Sequence, residues 1–200
     1  MKKLLILVVF LIVAPRISAQ QERAITTAVP FLTIAADARA SGMGDMGVAT
    51  SFDAYSQQWN PAKYAFATQK MGVGVSYTPY LETIVNDVSL LNATFYNKHN
   101  NNRGAFAFGL RYFGLGEIEL RQTIDQEATL VKPNEFALDG SYSLKLSQSF
   151  SMAVAGRFIS SNLRFQDGTQ DSQAANAFAV DVAGFYRSPE IAYSNFDGRW

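Results

Sequence analysis

Three glycines, Gly42, Gly44 and Gly47, stand in "SGMGDMGVAT" at the G-x-G-x-x-G spacing by which dinucleotide-binding folds bring backbone close to a pyrophosphate. That chemistry needs a strand before the glycines, an amphipathic helix after them, and an acid about 20 residues further on. Here Asn60-Pro61 interrupts the stretch that follows, and no acid occurs between Asp53 and Glu82. The glycines therefore read as sites of tight, φ > 0 backbone rather than as a phosphate cradle. Other candidates are thinner. His99, the single histidine, sits in an Asn/Lys-rich turn and supports neither a Ser/His/Asp triad nor a histidine metal site. Glu117 and Glu119 lie two apart and read as a solvated pair rather than an acid/base dyad. Asp167 and Asp171, on either side of Gly168, lack the dense oxygen spacing of a calcium loop. The absence of cysteine excludes disulfides, thiolate zinc sites and a cysteine nucleophile together. Asn92-Ala93-Thr94 matches a glycosylation acceptor but falls in a predicted strand. No catalytic, cofactor-binding or metal-binding residue is assigned, and the chain reads as a non-enzyme.

The elements carrying these residues follow from composition and periodicity. The 200 residues hold 17 basic and 17 acidic side chains, so no charge excess points to nucleic acid. Only 17% of residues are charged while 13% are aromatic, unlike the charged surface of an ordinary soluble domain. "MKKLLILVVFLIVAPRISAQ" has Lys2 and Lys3, an apolar run from Leu4 to Ala14, and Ile17 and Ala19 at signal-peptidase spacing. Residues 1–19 are expected to be a removable secretion signal, cleaved near Ala19. The run is too short for a spanning helix, which needs about 20 apolar residues. Cleavage removes Lys2, Lys3 and Arg16 with no acid and leaves the remainder acidic.

Residues 20–70 are irregular and rich in Ala, Gly, Thr and Asp. From Met71 onward the texture becomes strict alternation. Met71, Val73, Val75 and Tyr77 alternate with Gly72, Gly74, Ser76 and Thr78; Phe106, Phe108, Leu110 and Tyr112 alternate with Ala105, Ala107, Gly109 and Arg111. The same period of two recurs through Phe136–Lys145, Phe150–Phe158 and Ala177–Arg187. Strands are predicted near 71–79, 88–97, 104–113, 134–146, 149–160 and 174–187, with a seventh starting at Gly198; the second alternates poorly because Leu90 and Leu91 are adjacent. Soluble sandwiches alternate too, but with strands of about five or six residues and a charged outer face. Here strands run to ten or more residues, and one face is large and apolar, with Tyr77, Tyr112, Phe136, Phe158 and Tyr186 towards the strand ends. The other face is small and polar and carries Arg111, Asp139, Lys145, Arg157, Asp181 and Arg187, which are costly against lipid but ordinary facing a lumen. The pattern predicts an all-β, antiparallel outer-membrane barrel with these six charges facing the lumen.

Connections support that reading. Residues 81–87, 114–133 and 161–173 are expected as long outer loops, and 98–103 and 147–148 as short inner turns, as in such barrels. The region 188–197 looks long for an inner turn. Six or seven strands fall short of the eight or more with which such barrels close, so the chain is expected to hold an N-terminal portion of one.

The run "TAVPFLTIAADARASGMGDMGVATSFDAYSQQWNPAKYAF", followed by "GVGVSYTPY" and "LRYFGLG", resembles the PorV (LptO) family, outer-membrane barrels of the type IX secretion system of Bacteroidetes-type bacteria. The likeness covers nearly the whole chain after residue 19, with "PFLTIA", "ARASGMGD" and "WNPAKYAF" in order. More distantly the family is similar to FadL-type barrels of fourteen strands, whose N-terminal hatch carries an Asn-Pro-Ala sequence. The resemblance implies about fourteen strands when complete, of which this chain is expected to hold the N-terminal half, and a plug spanning residues 20–70 in which Gly42, Gly44, Gly47, Trp59, Asn60, Pro61 and Ala62 form the plug motif. It implies a non-catalytic protein embedded in outer-membrane lipid. Such a protein binds cargo carrying a C-terminal secretion signal, associates with the SprA/Sov translocon and passes cargo to the surface attachment complex. On that reading Ile118, Leu120, Ile124 and Leu130 are the candidate partner-contact residues, with a solvated hairpin as the bland alternative. The competing reading is a FadL-like channel for long-chain fatty acids or other hydrophobic small molecules.

Overall fold

The computed structural model describes residues 29–80, 87–99, 103–120, 129–163, 174–189, 191–192 and 197–198. The predicted secretion signal, Ile124, Asp167 and Asp171 lie outside them. Residues 31–200 form one compact unit.

Alternating side chains make long strands, and each long strand pairs antiparallel with the next long strand along the chain. Strands β1 (Met71–Pro79), β2 (Val88–Lys98) and β3 (Gly104–Leu115) are followed by the short β4 (Ile118–Leu120) and β5 (Thr129–Val131). Then come β6 (Asn134–Lys145), β7 (Phe150–Asn162) and β8 (Ala175–Tyr186), and the short β9 (Ile191–Ala192) and β10 (Asp197–Gly198). The main sheet has six strands in the order β1-β2-β3-β6-β7-β8, antiparallel throughout. It is an all-β meander, and β1 and β8 are its edges rather than partners of each other. Gly198 pairs with Ile191 in a separate two-stranded ladder, so it does not begin a strand of the main sheet. Ser147 and Gln148 turn tightly, with Leu146 and Ser147 amides both donating to Phe150 O. No described helix is long and apolar enough to cross a membrane, which leaves strands as the elements that could.

The two faces separate by side-chain size. Val73 and Phe178 are 66% and 72% exposed, and Phe108, Leu138, Val154 and Val182 stand bare beside them. The opposite face is packed: Ala105, Ala107, Ala137, Ala153 and Ser143 are buried. A soluble protein hides its large apolar side chains, and this one hides its small ones. What covers the small face is the segment 31–70, which lies along it in short turns. Pro30–Thr33 is one 3-10 turn, α1 spans Ala38–Gly42, α2 spans Ser56–Trp59, and a second 3-10 stretch spans Pro61–Phe66. Alanine, glycine and serine on the strands leave room for that segment, whose aromatic side chains fill the space. Tyr64 and Tyr96 stack with ring centroids 5.0 Å apart, and Phe52 meets both edge-on at 5.8 and 5.1 Å.

This packing explains the irregular alternation of β2. Leu90 and Tyr96 point to the small-residue face and are buried there, while Leu91 and Phe95 point to the exposed one. The expected outer loop 114–133 also contains a ladder, Ile118 opposite Val131 and Leu120 opposite Thr129, extending the β3–β6 hairpin.

Candidate functional site

The most organised polar region is the contact between segment 31–70 and the sheet. It begins with local capping. Asp37, extended at φ −114°, accepts the Ala40 amide at 3.1 Å through Oδ1 and starts α1. Asn60 does the same for Pro61–Phe66, its Oδ1 accepting the Ala62 amide at 3.1 Å, with Pro61 at the first position, where a missing N–H costs nothing. The other end of that amide reaches outward: Asn60 Nδ2 donates to Val48 O at 3.3 Å and to Gly184 O of β8 at 3.0 Å.

Every strand of the main sheet makes such a contact. Ser76 of β1 donates to Ala36 O. On β2, Thr94 donates to Ala54 O at 2.9 Å and Lys98 Nζ to Ala67 O at 2.7 Å. On β3, Arg111 Nη1 donates to Leu32 O at 2.9 Å. Ser141 of β6 donates to Gln57 Oε1 at 2.6 Å, and Ser151 of β7 donates to Ala62 O at 2.7 Å. The segment is mostly turn, so many of its carbonyls lack helical partners, and the strands supply the donors. Each such bond contributes about 1 kcal/mol, and orphaning one of these buried carbonyls costs more.

Lys63 is the strongest electrostatic feature of the segment. It is fully buried, and its ammonium donates to Gly47 O at 2.7 Å and Thr50 Oγ1 at 3.3 Å. Burial pulls its pKa below the ordinary lysine value, partly offset by the negative charge of Asp53. Burial likewise pushes the Tyr64 phenol up; its hydroxyl accepts the Gln57 amide at 2.8 Å and donates to Ala54 O at 2.9 Å.

The seven residues singled out in the segment divide into two groups. Gly47, Trp59, Asn60, Pro61 and Ala62 come together. The indole of Trp59 lies so close to Gly47 that a Cβ there would stand 2.2 Å from Trp59 Cγ. Gly42 and Gly44 stand apart in open space, the first closing α1 and the second turning the chain at φ +72°, followed by Asp45 at φ +61°. Gly42 thus ends a five-residue helix and Gly44 and Gly47 follow it instead of preceding one, and among the described residues no parallel strand stands behind them.

Of the six charges assigned to the small-residue face, Arg111 and Asp139 are buried there. Asp139 and Arg157 are directly opposed across β6 and β7 and form an ion pair, with Asp181 Oδ2 3.7 Å from Arg157 Nη1. Lys145 Nζ lies 5.1 Å above the Phe66 ring, and Arg187 lies just past the end of β8 with its amide on Ser149 O at 2.7 Å. Three of the six therefore form one cluster, and two lie at the strand end.

Of the candidate contact residues, Ile118 and Leu130 do not share a face: Ile118 is opposite Val131 in the β4–β5 ladder, whereas Leu130 is opposite Glu119 and is exposed. The hairpin is fastened at its base, where the Glu117 amide donates to Asp87 Oδ2 at 2.6 Å and Lys132 pairs with Glu117. The Glu117 carboxylate raises the pKa of Lys132.

Sequence reasoning did not single out Lys63, Gln57, Ser141, Ser151 or Lys98 as anchors. The one signal available was a lysine inside the otherwise apolar "PAKYAF"; serines on a small face carry none. Among comparisons with known proteins, the profile of a family described as "Type IX secretion system protein PorV" matches residues 17–200. No curated protein matches the chain.

Proposed function

The chain belongs to the PorV family, an outer-membrane component of the type IX secretion system, and from that premise we propose that it serves as a cargo-receiving barrel rather than a conducting channel. Cargo proteins bearing a C-terminal secretion signal are its substrates in transport. The SprA/Sov translocon is its partner during passage, and the surface attachment complex takes the cargo from it. Segment 31–70 acts as a static plug within a barrel of which the six long strands form a part, and the plug motif around Asn60 and Trp59 holds it closed. The large apolar face lies against outer-membrane lipid.

The observation carrying this reading is the attachment of the segment to all six strands by side-chain hydrogen bonds. A hatch that opens to pass a fatty acid must break these bonds and expose Lys63, Arg111 and Asp139 together, whereas a receptor for folded cargo leaves them in place. The β4–β5 hairpin, fixed at its base by Asp87, is the part of the described structure offered beyond the sheet, and we assign cargo or translocon contact to it.

Deleting the gene and profiling the cell surface tests the proposal. Loss of proteins with C-terminal secretion signals, together with co-purification of the full-length barrel with SprA/Sov, is expected. Normal surface display accompanied by failed long-chain fatty-acid uptake would sink it in favour of the channel.

A further inference from the structure

The register places the start of β1 beside the end of β2, the start of β3 beside the end of β6, and the start of β7 beside the end of β8. One end of the sheet therefore gathers Lys70, Lys98, Arg103, Lys145 and Arg187. No acid occurs at 68–70, 98–99, 103–105 or 145–150, and Glu190, three residues past Arg187, lies outside the described residues. The opposite end carries Asp87, Glu117, Glu119 and Glu135, with Lys132 among them paired to Glu117. The chain is neutral as a sum, yet acids and bases are shared unevenly between the two ends.

At the basic end a cavity of 410 Å³ lies between the segment and β8, walled by Phe52, Phe66, Phe185, Tyr186 and Arg187. Phe66 and Phe185 meet at 5.8 Å between ring centroids, and Lys145 Nζ sits over the Phe66 ring at 5.1 Å. Lys145 donates to the neutral amide of Gln148 at 3.3 Å. Neither Lys145 nor Arg187 has a carboxylate partner among the described residues. A further cation, Lys98, is buried with its ammonium on Ala67 O at 2.7 Å. Tyr186 belongs to the large apolar face and Arg187 follows it at the strand end, and both line the cavity.

We propose that this cavity and its cations form a site for an anionic phospholipid, the phosphate held between Arg187 and Lys145 and part of one acyl chain among the phenylalanines. Guanidinium and ammonium groups without carboxylates select a phosphate oxyanion. Aromatic walls that meet edge-to-face select the chain attached to it, and the volume suits a fragment of a lipid rather than a bare ion. Basic groups grouped at one end of a spanning structure are where anionic headgroups concentrate.

The inference rests on the membrane reading above, and one experiment separates the two. The full-length protein is inserted into nanodiscs of phosphatidylcholine containing a minority of phosphatidylglycerol, then ejected and weighed by native mass spectrometry. Retention of phosphatidylglycerol over phosphatidylcholine is expected, falling at least fivefold in the Lys145→Gln, Arg187→Gln double variant and kept in Lys145→Arg, Arg187→Lys. Millimolar inorganic phosphate should leave the lipid in place; its displacement by phosphate would mark a bare anion site instead. Equal retention of both lipids, or an unchanged double variant, overturns the lipid site. Failure to insert at all overturns the membrane reading.

Discussion

Lys63 shows how one side chain reports its surroundings. Its ammonium is enclosed with two acceptors and forms no ion pair among the described residues, and burial outweighs the charge of Asp53, so the folded chain holds that proton less tightly than the unfolded chain does. When the folded pKa lies below the unfolded one, the unfolded state binds more protons across the interval between them, and stability rises with pH there. The rise runs from the depressed folded value up to the ordinary 10.5 and then stops. Lys63→Met removes it, whatever its separate cost from losing the bonds to Gly47 and Thr50. Urea denaturation of the full-length barrel from roughly pH 8 upward should show the wild type gaining on the variant as pH rises. A gap that stays flat would mean the ammonium reaches water. The sequence placed a lysine in "PAKYAF" without saying which way it points, because a short 3-10 stretch has no long-range periodicity to assign its faces.

Among the elements, the turn after α1 decides what the three glycines are for. Gly42 meets nothing within 4 Å, so Gly42→Ala should change stability by no more than about 0.5 kcal/mol. Gly44 holds φ +72°, and alanine there should cost about 1 kcal/mol through backbone strain alone. Gly47 abuts the Trp59 ring, and alanine there should cost about 3 kcal/mol, because the indole or the Lys63 contact behind it must shift. Thermal or urea unfolding of the three variants in detergent gives the order; equal losses at all three would contradict it. The spacing G-x-G-x-x-G was legible from the start, but the three different reasons for it were not. They depend on residues up to 16 positions away, as Lys63 is from Gly47. In β2 the failure has the same root, since Leu90 and Tyr96 break the alternation to pack against a segment that no local rule places there. In β4 and β5 the strands are three residues each, too short for period two to register.

For the whole molecule, the exposed apolar face makes a prediction that a soluble sheet would not share. Phe108 lies mid-strand on that face and Tyr112 near its end. Phe108→Arg should cost about 2–4 kcal/mol of folding stability in lipid vesicles, and Tyr112→Arg at most about 1 kcal/mol. Tryptophan fluorescence during urea titration of the vesicle-inserted protein measures both; a harmless Phe108→Arg would place that face in water. Sequence by itself determined the six long strands to within two residues at each end. It also determined which face is large and apolar, because side-chain alternation in a strand is a local geometric property that needs no knowledge of partners. The resemblance to the PorV family was likewise carried by contiguous runs of residues. Only the tertiary structure decided that the glycine and Asn-Pro-Ala runs meet through Gly47 and Trp59, and that all six strands hold the same segment. It alone set Lys145 over the ring of Phe66, which lines one cavity with Arg187. Those contacts join residues up to 124 positions apart, as Asn60 is from Gly184. Which of many equally small, equally polar side chains receives a given carbonyl is settled by the path of a segment with no repeat to reveal it.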